Sequence, residues 1–466
     1  MQLLSLSLIL NLILQLFYGR KNNLRGKIMR LFFSLIITLL SSFSFAHAEL
    51  KIQEVVSTHG VRAWLVEDHT TPVIAMNFSF EIGAAQDPED KKGLAALASQ
   101  MLTEGAGKFS SHDFAQKLQE IASFISFDVT LSHFQGSLKT TQVNAKEAFQ
   151  LLKITLTEPL FSSHEFTKVV NAHATSLANS EKKPSTIALF QLRKQIFGTT
   201  HPYARLTEGS LETIKKITPN DLKNFMKNLS RNTLKIGVCG NITAQELKQI
   251  LDEILSSLPK ESSLPQIPPV QFPQQEKVTT IKLAQPQSIG FFAQQAIPFK
   301  DPNNLKLAIA NEALGHGSVS RLMNEVREKR GYAYHVGTNI NQEPLISLLI
   351  GSVGSQNTRI MKSLSLIKEE WKRIRDHGLT KEEFEDAKSH ILGAYTLNFM
   401  SSPQIAELLL LYQEFEAPIT YMQNREQLLN AITLTQVNQF AKDFFTPEKL
   451  QIVIVGNPEE GEIHAQ

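Results

Sequence analysis

The chain has 466 residues and one cysteine, which excludes an internal disulfide; setting aside a leader of 48 residues leaves about 418, enough for two ordinary domains with large cores. The formal charge of +2 belongs to that leader: residues 1–48 carry five bases (Arg20, Lys21, Arg25, Lys27, Arg30) and no acid, leaving 42 basic against 45 acidic residues in 49–466, a net −3. That balance argues against nucleic acid or an anionic membrane surface as a partner.

The leader holds two apolar runs, 1–18 and 31–45, separated by basic residues within 20–27. The second has the layout of a secretory signal, with Met29-Arg30 as a charged start and Ala46-His47-Ala48 as a small-x-small cleavage site. Export with cleavage after Ala48 is expected, to the periplasm or outside the cell, with Met29 as the true start. The alternative is one or two uncleaved membrane anchors, since either run approaches spanning length. Only in that case would a membrane be a partner.

After the leader, alternating patterns predict strands at 51–57, 63–67 and 73–82, helices at 91–104 and 111–121, and a strand pair near 123–129 and 134–142. Helices follow over 144–197, another begins at 219, and a strand begins at 234, where the lone Cys239 reads as a small buried hydrophobe. Prolines 259, 265, 268, 269 and 273 mark an extended linker. The order then repeats: strands at 278–283 and 289–297, helices at 303–314 and 319–329, and a strand pair at 333–341 and 345–352. Long helices over 357–414, a last helix from 434 and a last strand from 450 complete it.

The repetition shows in the residues themselves. Residues 217–225 match 432–440 at an offset of 215, each with a plausible helix-capping threonine at its second place, Thr218 or Thr433. Residues 234–241 (LKIGVCGN) match 450–457 (LQIVIVGN) at 216. A period this long indicates duplicated domains. The expected fold is α+β: two homologous units, 49–258 and 276–466, each a mostly antiparallel sheet backed by helices on one side, joined by a linker at 259–275.

The run Gly93-Leu94-Ala95-Ala96-Leu97-Ala98-Ser99-Gln100-Met101-Leu102 reads as a buried helix behind a polar loop. It resembles the zinc helix of the pitrilysin/insulinase peptidases, the inverted zincins, as do His201-Pro202-Tyr203 with Gly209, the close of each unit, and residues 314–322. The resemblance covers about residues 50–460 and rests on the order and spacing of these landmarks. In active members a run like Gly-Leu-Ala-His-Phe-Leu-Glu-His-Met-Leu stands here. Two histidines one helical turn apart bind zinc, the glutamate activates a water, and a second glutamate about 76 residues later completes the ligands. In this chain those places hold Ala96, Ser99, Gln100 and, with Thr175 beside it, Ser176. A methyl group, an amide and hydroxyls cannot replace imidazoles and carboxylates, so no zinc is expected in this chain.

In the second unit Arg327 and Tyr334 stand seven apart. The resemblance implies that such a pair reaches a zinc site in a first half, holding substrate and stabilising the oxyanion of the tetrahedral intermediate. Gly331 would let the chain leave the helix for the strand that presents Tyr334. Without the resemblance, Arg327 reads as a solvated helix arginine, and Tyr332 and Tyr334 as aromatics alternating on one strand face. The histidines carry less: Lys168 stands where a His164-Glu165 metal motif needs its second histidine, His173 reads as exposed, and His316 as a surface loop residue.

Some bacterial members of the family work as pairs, one chain supplying the zinc helix and the other the arginine and tyrosine. The resemblance therefore implies the non-zinc subunit of an exported peptidase pair, half of a clamshell around a chamber for peptides or unfolded polypeptide. Its partner would be a zinc-bearing homologous subunit. A purely structural or peptide-binding protein is the alternative; a self-sufficient zinc peptidase is disfavoured by the missing ligands.

Overall fold

Runs rich in β-branched and aromatic residues open each half of the chain as strands. The computed structural model describes residues 51–262 and 264–459; the expected leader and its cleavage site lie outside the described residues. In the first half, β1 (Ile52–Val56), β2 (Arg62–Glu67) and β3 (Val73–Phe80) precede α1 (Leu94–Met101) and α2 (Ser111–Glu120), followed by the hairpin β4 (Phe124–Val129) and β5 (Phe134–Thr141). Then come α3 (Ala145–Thr157), α4 (Ser163–Ser180), α5 (Pro184–Phe197), α6 (Pro219–Met226), β6 (Leu234–Gly240) and α7 (Ala244–Leu255).

The second half repeats this plan. β7 (Lys277–Lys282) and β8 (Gln287–Ala296) lead to α8 (Asn304–Asn311), which runs into a π-helical turn, Glu312–His316. A second π-helical turn, Met323–Glu328, precedes the hairpin β9 (Ala333–Glu343) and β10 (Ile346–Gln356). α9 (Ile360–His377), α10 (Lys381–Leu397), α11 (Ser402–Glu414), α12 (Tyr421–Ala431), α13 (Leu434–Phe444) and β11 (Gln451–Gly456) complete it. Helices α7 and α12 are additions to the predicted order. α7 carried a readable signal, since Thr243 and Glu246 form a reciprocal capping box ahead of buried Leu247, Leu251, Ile254 and Leu255.

The sheets run β1-β2-β6-β3-β5-β4 and β7-β11-β8-β10-β9. Each is antiparallel except for one parallel pair, β2 with β6 and β7 with β11. The matching strands 234–240 and 451–456 thus occupy interior places in their sheets, consistent with side chains that are buried almost throughout. β4 and β9 are the corresponding edges.

One face of each sheet carries that half's own helices. Phe78, Phe80, Phe134, Leu222, Phe225 and Leu251 share the first core, while Phe292, Trp371, Val437 and Phe445 share the second. The sequence pattern places helices on one side only and assigns nothing to the opposite faces. They are covered by an exchange of helices: α11 packs on β6 and β3 of the first sheet, and α5 on β11 and β8 of the second. α11 approaches so closely that a Cβ on Gly237 would lie 2.2 Å from the Ala406 carbonyl oxygen, leaving no room for a side chain there. Ala188, Leu192 and Ile196 of α5 form a third core with Ala293, Val453 and Val455.

A polar cluster pins the two halves where β9 ends. The Ser132 hydroxyl donates to Glu343 at 2.6 Å and lies 3.1 Å from the Tyr203 hydroxyl. Burial raises the Glu343 carboxyl above its ordinary range, against the Ser132 hydrogen bond and the Arg193 guanidinium. No helix among the described residues is long and apolar enough to cross a membrane.

Candidate functional site

α1 is positioned by a buried acid that its sequence does not advertise. The Asp87 carboxylate accepts the Gly93 amide at 2.8 Å and the Ala95 amide at 3.1 Å, supplying acceptors for the first turn of a helix whose N-cap, Gly93, has no side chain. Asp87 is only 5% exposed. Burial pushes its carboxyl up to about 7, against the pull of those amides and of Arg205. The Arg205 guanidinium donates to the Asp87 carbonyl at 2.7 Å and reaches Glu89 at 2.6 Å, holding the loop closed over the helix start.

The positions that zinc ligands would occupy are committed elsewhere. Ala96 is buried and has no donor atom. The Ser99 hydroxyl donates to the Ala96 carbonyl at 2.9 Å within its own helix. The Gln100 side-chain amide lies 3.0 Å from His173 Nδ1, and His173 Nε2 lies 2.8 Å from the Glu208 carbonyl oxygen. A carbonyl only accepts, so these bonds assign the proton to Nε2 and leave Nδ1 to accept from Gln100. Ser176 and Thr175 are exposed on α4, with the Thr175 hydroxyl bonded to Asn171.

These residues do not fit a zinc ion. The two available ring nitrogens of His173 are both spent, and the remaining groups are neutral oxygen or carbon. Among the described residues no group of three or more His, Cys, Asp or Glu is placed to hold a metal. His173 corrects the expectation of an exposed histidine: it is 5% exposed. Its small helical neighbours concealed that α1 and residue 208 close over it. The Gln100–His173 hydrogen bond therefore ties α1 to α4, the two helices that carry the positions matched above to zinc ligands.

Arg327 and Tyr334 stand at the other end of the design, in the open. Arg327 lies on the π-helical turn 323–328 with its side chain about half exposed, 3.4 Å from Glu328 and 3.7 Å from the Met323 sulfur. Gly331, at φ 59°, bonds back to the Arg327 carbonyl and turns the chain into β9. In the β9–β10 ladder His335 pairs with Gly354 and Ala333 with Ser355, so Tyr334 is the extra residue of a β-bulge. Bulges re-aim side chains. The Tyr334 ring crosses Gly354, where a Cβ would meet its hydroxyl at 2.4 Å, and it remains 51% exposed.

The alternation expected of Tyr332 and Tyr334 is thereby broken. Tyr332 precedes the strand and packs against the second core, whereas Tyr334 turns outward. Other expectations resolve simply. His164 is exposed near Glu165, Lys168 bonds to Glu165 at 2.8 Å, and exposed His316 lies 3.2 Å from the Thr338 carbonyl oxygen. Cys239 is buried, with burial pushing its thiol up to about 12. Asp87 and the Gln100–His173 bond escaped sequence reasoning because each acts across sequence gaps that periodicity does not span.

Comparison with known proteins places the chain in a family. The family model described as "Insulinase (Peptidase family M16)" matches residues 62–208, and "Peptidase M16 inactive domain" matches 216–391. A Helicobacter pylori protein named non-peptidase homolog YmxG is 26% identical over 429 residues, covering 91% of this chain and 98% of that protein. A crystal structure of a peptidase M16 inactive domain from Pseudomonas fluorescens superposes with a TM-score of 0.82 at 24% identity, covering 89% of this chain and 99% of that one. A chain of complex III from Candida albicans shares the fold, with a TM-score of 0.74 at 15% identity, covering 87% of this chain and 96% of that one. The two models between them span both halves, and the chain belongs to the insulinase, or M16, peptidase family.

Proposed function

We propose that this chain is the non-zinc subunit of an exported heterodimeric metallopeptidase. It assembles with a zinc-bearing homologue and contributes Arg327 and Tyr334 to peptide hydrolysis in that partner's site. The observation that carries the proposal is a contrast within one molecule. The zinc-site positions are closed by carbon and spent hydrogen bonds, while a guanidinium and a bulge-presented phenol stand exposed and strongly polar on the other half. The naming of the Helicobacter pylori relative as a non-peptidase supports the first side of that contrast.

In the complex, the Arg327 guanidinium and the Tyr334 hydroxyl donate hydrogen bonds where negative charge develops on the scissile carbonyl oxygen. Neither group needs to change protonation for this role. The substrate is a peptide or unfolded segment that adds a strand to a sheet edge in the partner's first half. Export rests on the signal-like residues 29–48.

The test is co-expression with a zinc-bearing relative from the same organism. Alone, the purified chain should hold no stoichiometric zinc and cleave no peptide; in the pair it should raise the partner's rate. Arg327→Ala should cut that stimulation on the order of a hundredfold, and Tyr334→Phe about tenfold, with the complex still formed. Full stimulation by both variants removes the assigned roles, and one tightly held zinc with unaided hydrolysis removes the whole proposal. A second reading, a structural or peptide-binding protein without a proteolytic role, is favoured by the naming of the Helicobacter pylori relative as a non-peptidase homolog. Pull-downs that recover only unrelated proteins would favour it.

A further inference from the structure

The helix exchange leaves a cleft beside each swapped helix, one lined by carboxylates and the other by an arginine and two histidines. Beneath α11 on the first sheet, Asp128, Glu407 and Glu414 line the walls, with no lysine or arginine among the described lining residues. Beside α5 on the second sheet lies a larger cleft of about 780 Å³, lined by Arg193, His316 and His335, with no aspartate or glutamate among the described lining residues. In residues 49–466, where acids outnumber bases, a cleft of this size without one carboxylate is a selective feature.

We propose that the cleft beside α5 is a binding subsite for an acidic segment of unfolded polypeptide, whose carboxylate it holds between Arg193 and the two histidines. The proposal deepens the peptide-handling role and rests on it for the polymeric nature of the ligand. Three observations carry it. First, the cationic side chain is fixed: Arg193 lies on α5, donates to the Arg205 carbonyl at 3.0 Å and has the acids Glu343 and Glu208 near it outside the cleft lining, so little conformational freedom remains to be lost on binding, and a ligand carboxylate would share the guanidinium with them. Second, each histidine uses one ring nitrogen for the protein. His316 Nδ1 lies 3.2 Å from the Thr338 carbonyl oxygen and His335 Nε2 lies 3.2 Å from the Ser352 hydroxyl. Those bonds orient both rings: His335 can accept from the Ser352 hydroxyl and keep an Nδ1–H to donate to a carboxylate, whereas His316, donating through Nδ1, can give a ligand a second N–H only in its protonated form. Third, Phe291 and Ile350 lend the cleft apolar surface and exposed Asn339 adds an amide at its side. An apolar cavity with a few convergent polar groups, within the roughly 300–1,000 Å³ of ordinary ligand sites, is the form that specific pockets take.

The position fits the peptide role. Met323, in contact with Arg327, lines the same cleft, and His335 directly follows Tyr334. A segment seated here would pass beside the exposed pair. Unlike their place in hydrolysis, this subsite belongs to the chain alone and can be read without the zinc-bearing partner.

The experiment measures binding by fluorescence anisotropy on the full chain without partner. One probe is a short peptide of alternating glutamate and leucine with a neutral dye; the control is the same peptide with lysine for glutamate. The glutamate peptide should bind and the lysine peptide should not, with affinity falling as salt rises. Asn339→Asp sets a negative charge at the cleft without disturbing the core, and should weaken the glutamate peptide about fivefold to tenfold. His335→Gln should also weaken it. Equal binding of both peptides, or an unchanged affinity in Asn339→Asp, overturns the proposal; displacement by free glutamate at equal concentration overturns the polypeptide ligand. Because no protease is present, these failures are separate from a failure of the partner-stimulation assay.

Discussion

Replacing Asp87 by asparagine removes a titratable group from the start of α1 while keeping its shape. The carboxylate is buried and accepts two buried backbone amides. Asparagine can accept only one of them through its oxygen; its amino group then opposes the other. One buried N–H without an acceptor costs about 1–3 kcal/mol. The pH dependence is the sharper readout. Burial raises the folded-state carboxyl from its ordinary 3.8 to about 7. Between those values the folded chain binds more proton than the unfolded one, so stability from this group is full below 3.8 and is lost as pH rises to about 7. At about 1.4 kcal/mol per unit, the fall approaches on the order of 4 kcal/mol. Urea unfolding of wild type and Asp87→Asn across that range should show wild-type stability falling as pH rises toward 7, with the variant flat by comparison. Wild-type stability that rises with pH relative to the variant would mean that the amides and Arg205 outweigh burial, and would refute the reasoning.

The other predictions concern the ties between elements. Gln100→Ala should lower stability by about 1 kcal/mol by leaving His173 Nδ1 without its donor, and the loss should shrink in a His173→Gln background, as a double-mutant cycle in urea would show. Gly354→Ala places a Cβ in the space of the Tyr334 ring, which can swing outward because it is half exposed. Its melting temperature should stay near wild type while stimulation of a zinc-bearing partner falls as in Tyr334→Phe; normal stimulation would show that the ring's seat does not matter. Glu343→Gln keeps an acceptor for Ser132 and removes a charge that burial disfavours. Since a raised carboxyl loses stability as pH climbs from its ordinary 4.5 through its folded value, the variant should gain on wild type as pH rises above 4.5 and hold that gain once the carboxyl is ionised, measured by thermal melts.

The repeat was readable before any coordinates because it is written in local patterns. Thr218 and Thr433 do cap α6 and α13 with side-chain oxygens, as their positions imply, and the two runs ending in Gly-Asn do form interior strands. The absence of metal donors at Ala96, Ser99, Gln100 and Ser176 was equally plain, because donor chemistry is a property of the side chain itself. Helix α7 could have been added from its capping box.

Other features needed the tertiary structure. The apolar faces of α5 and α11 declare that each must be buried, yet nothing in a helical period says which sheet will cover them; only the packed chain reveals the exchange. His173 looked exposed because its neighbours are small, and became buried through Gln100, 73 residues away, and Glu208. Tyr334 faces outward because the register slips at Gly354 and Ser355, a cross-strand event that one strand's sequence does not encode. Sequence alone determined which atoms each position can offer and which faces must leave water, since both are properties of single residues at a fixed spacing. Which surfaces meet, and so which polar groups are spent and which stay open, was decided by contacts between distant segments that share no period.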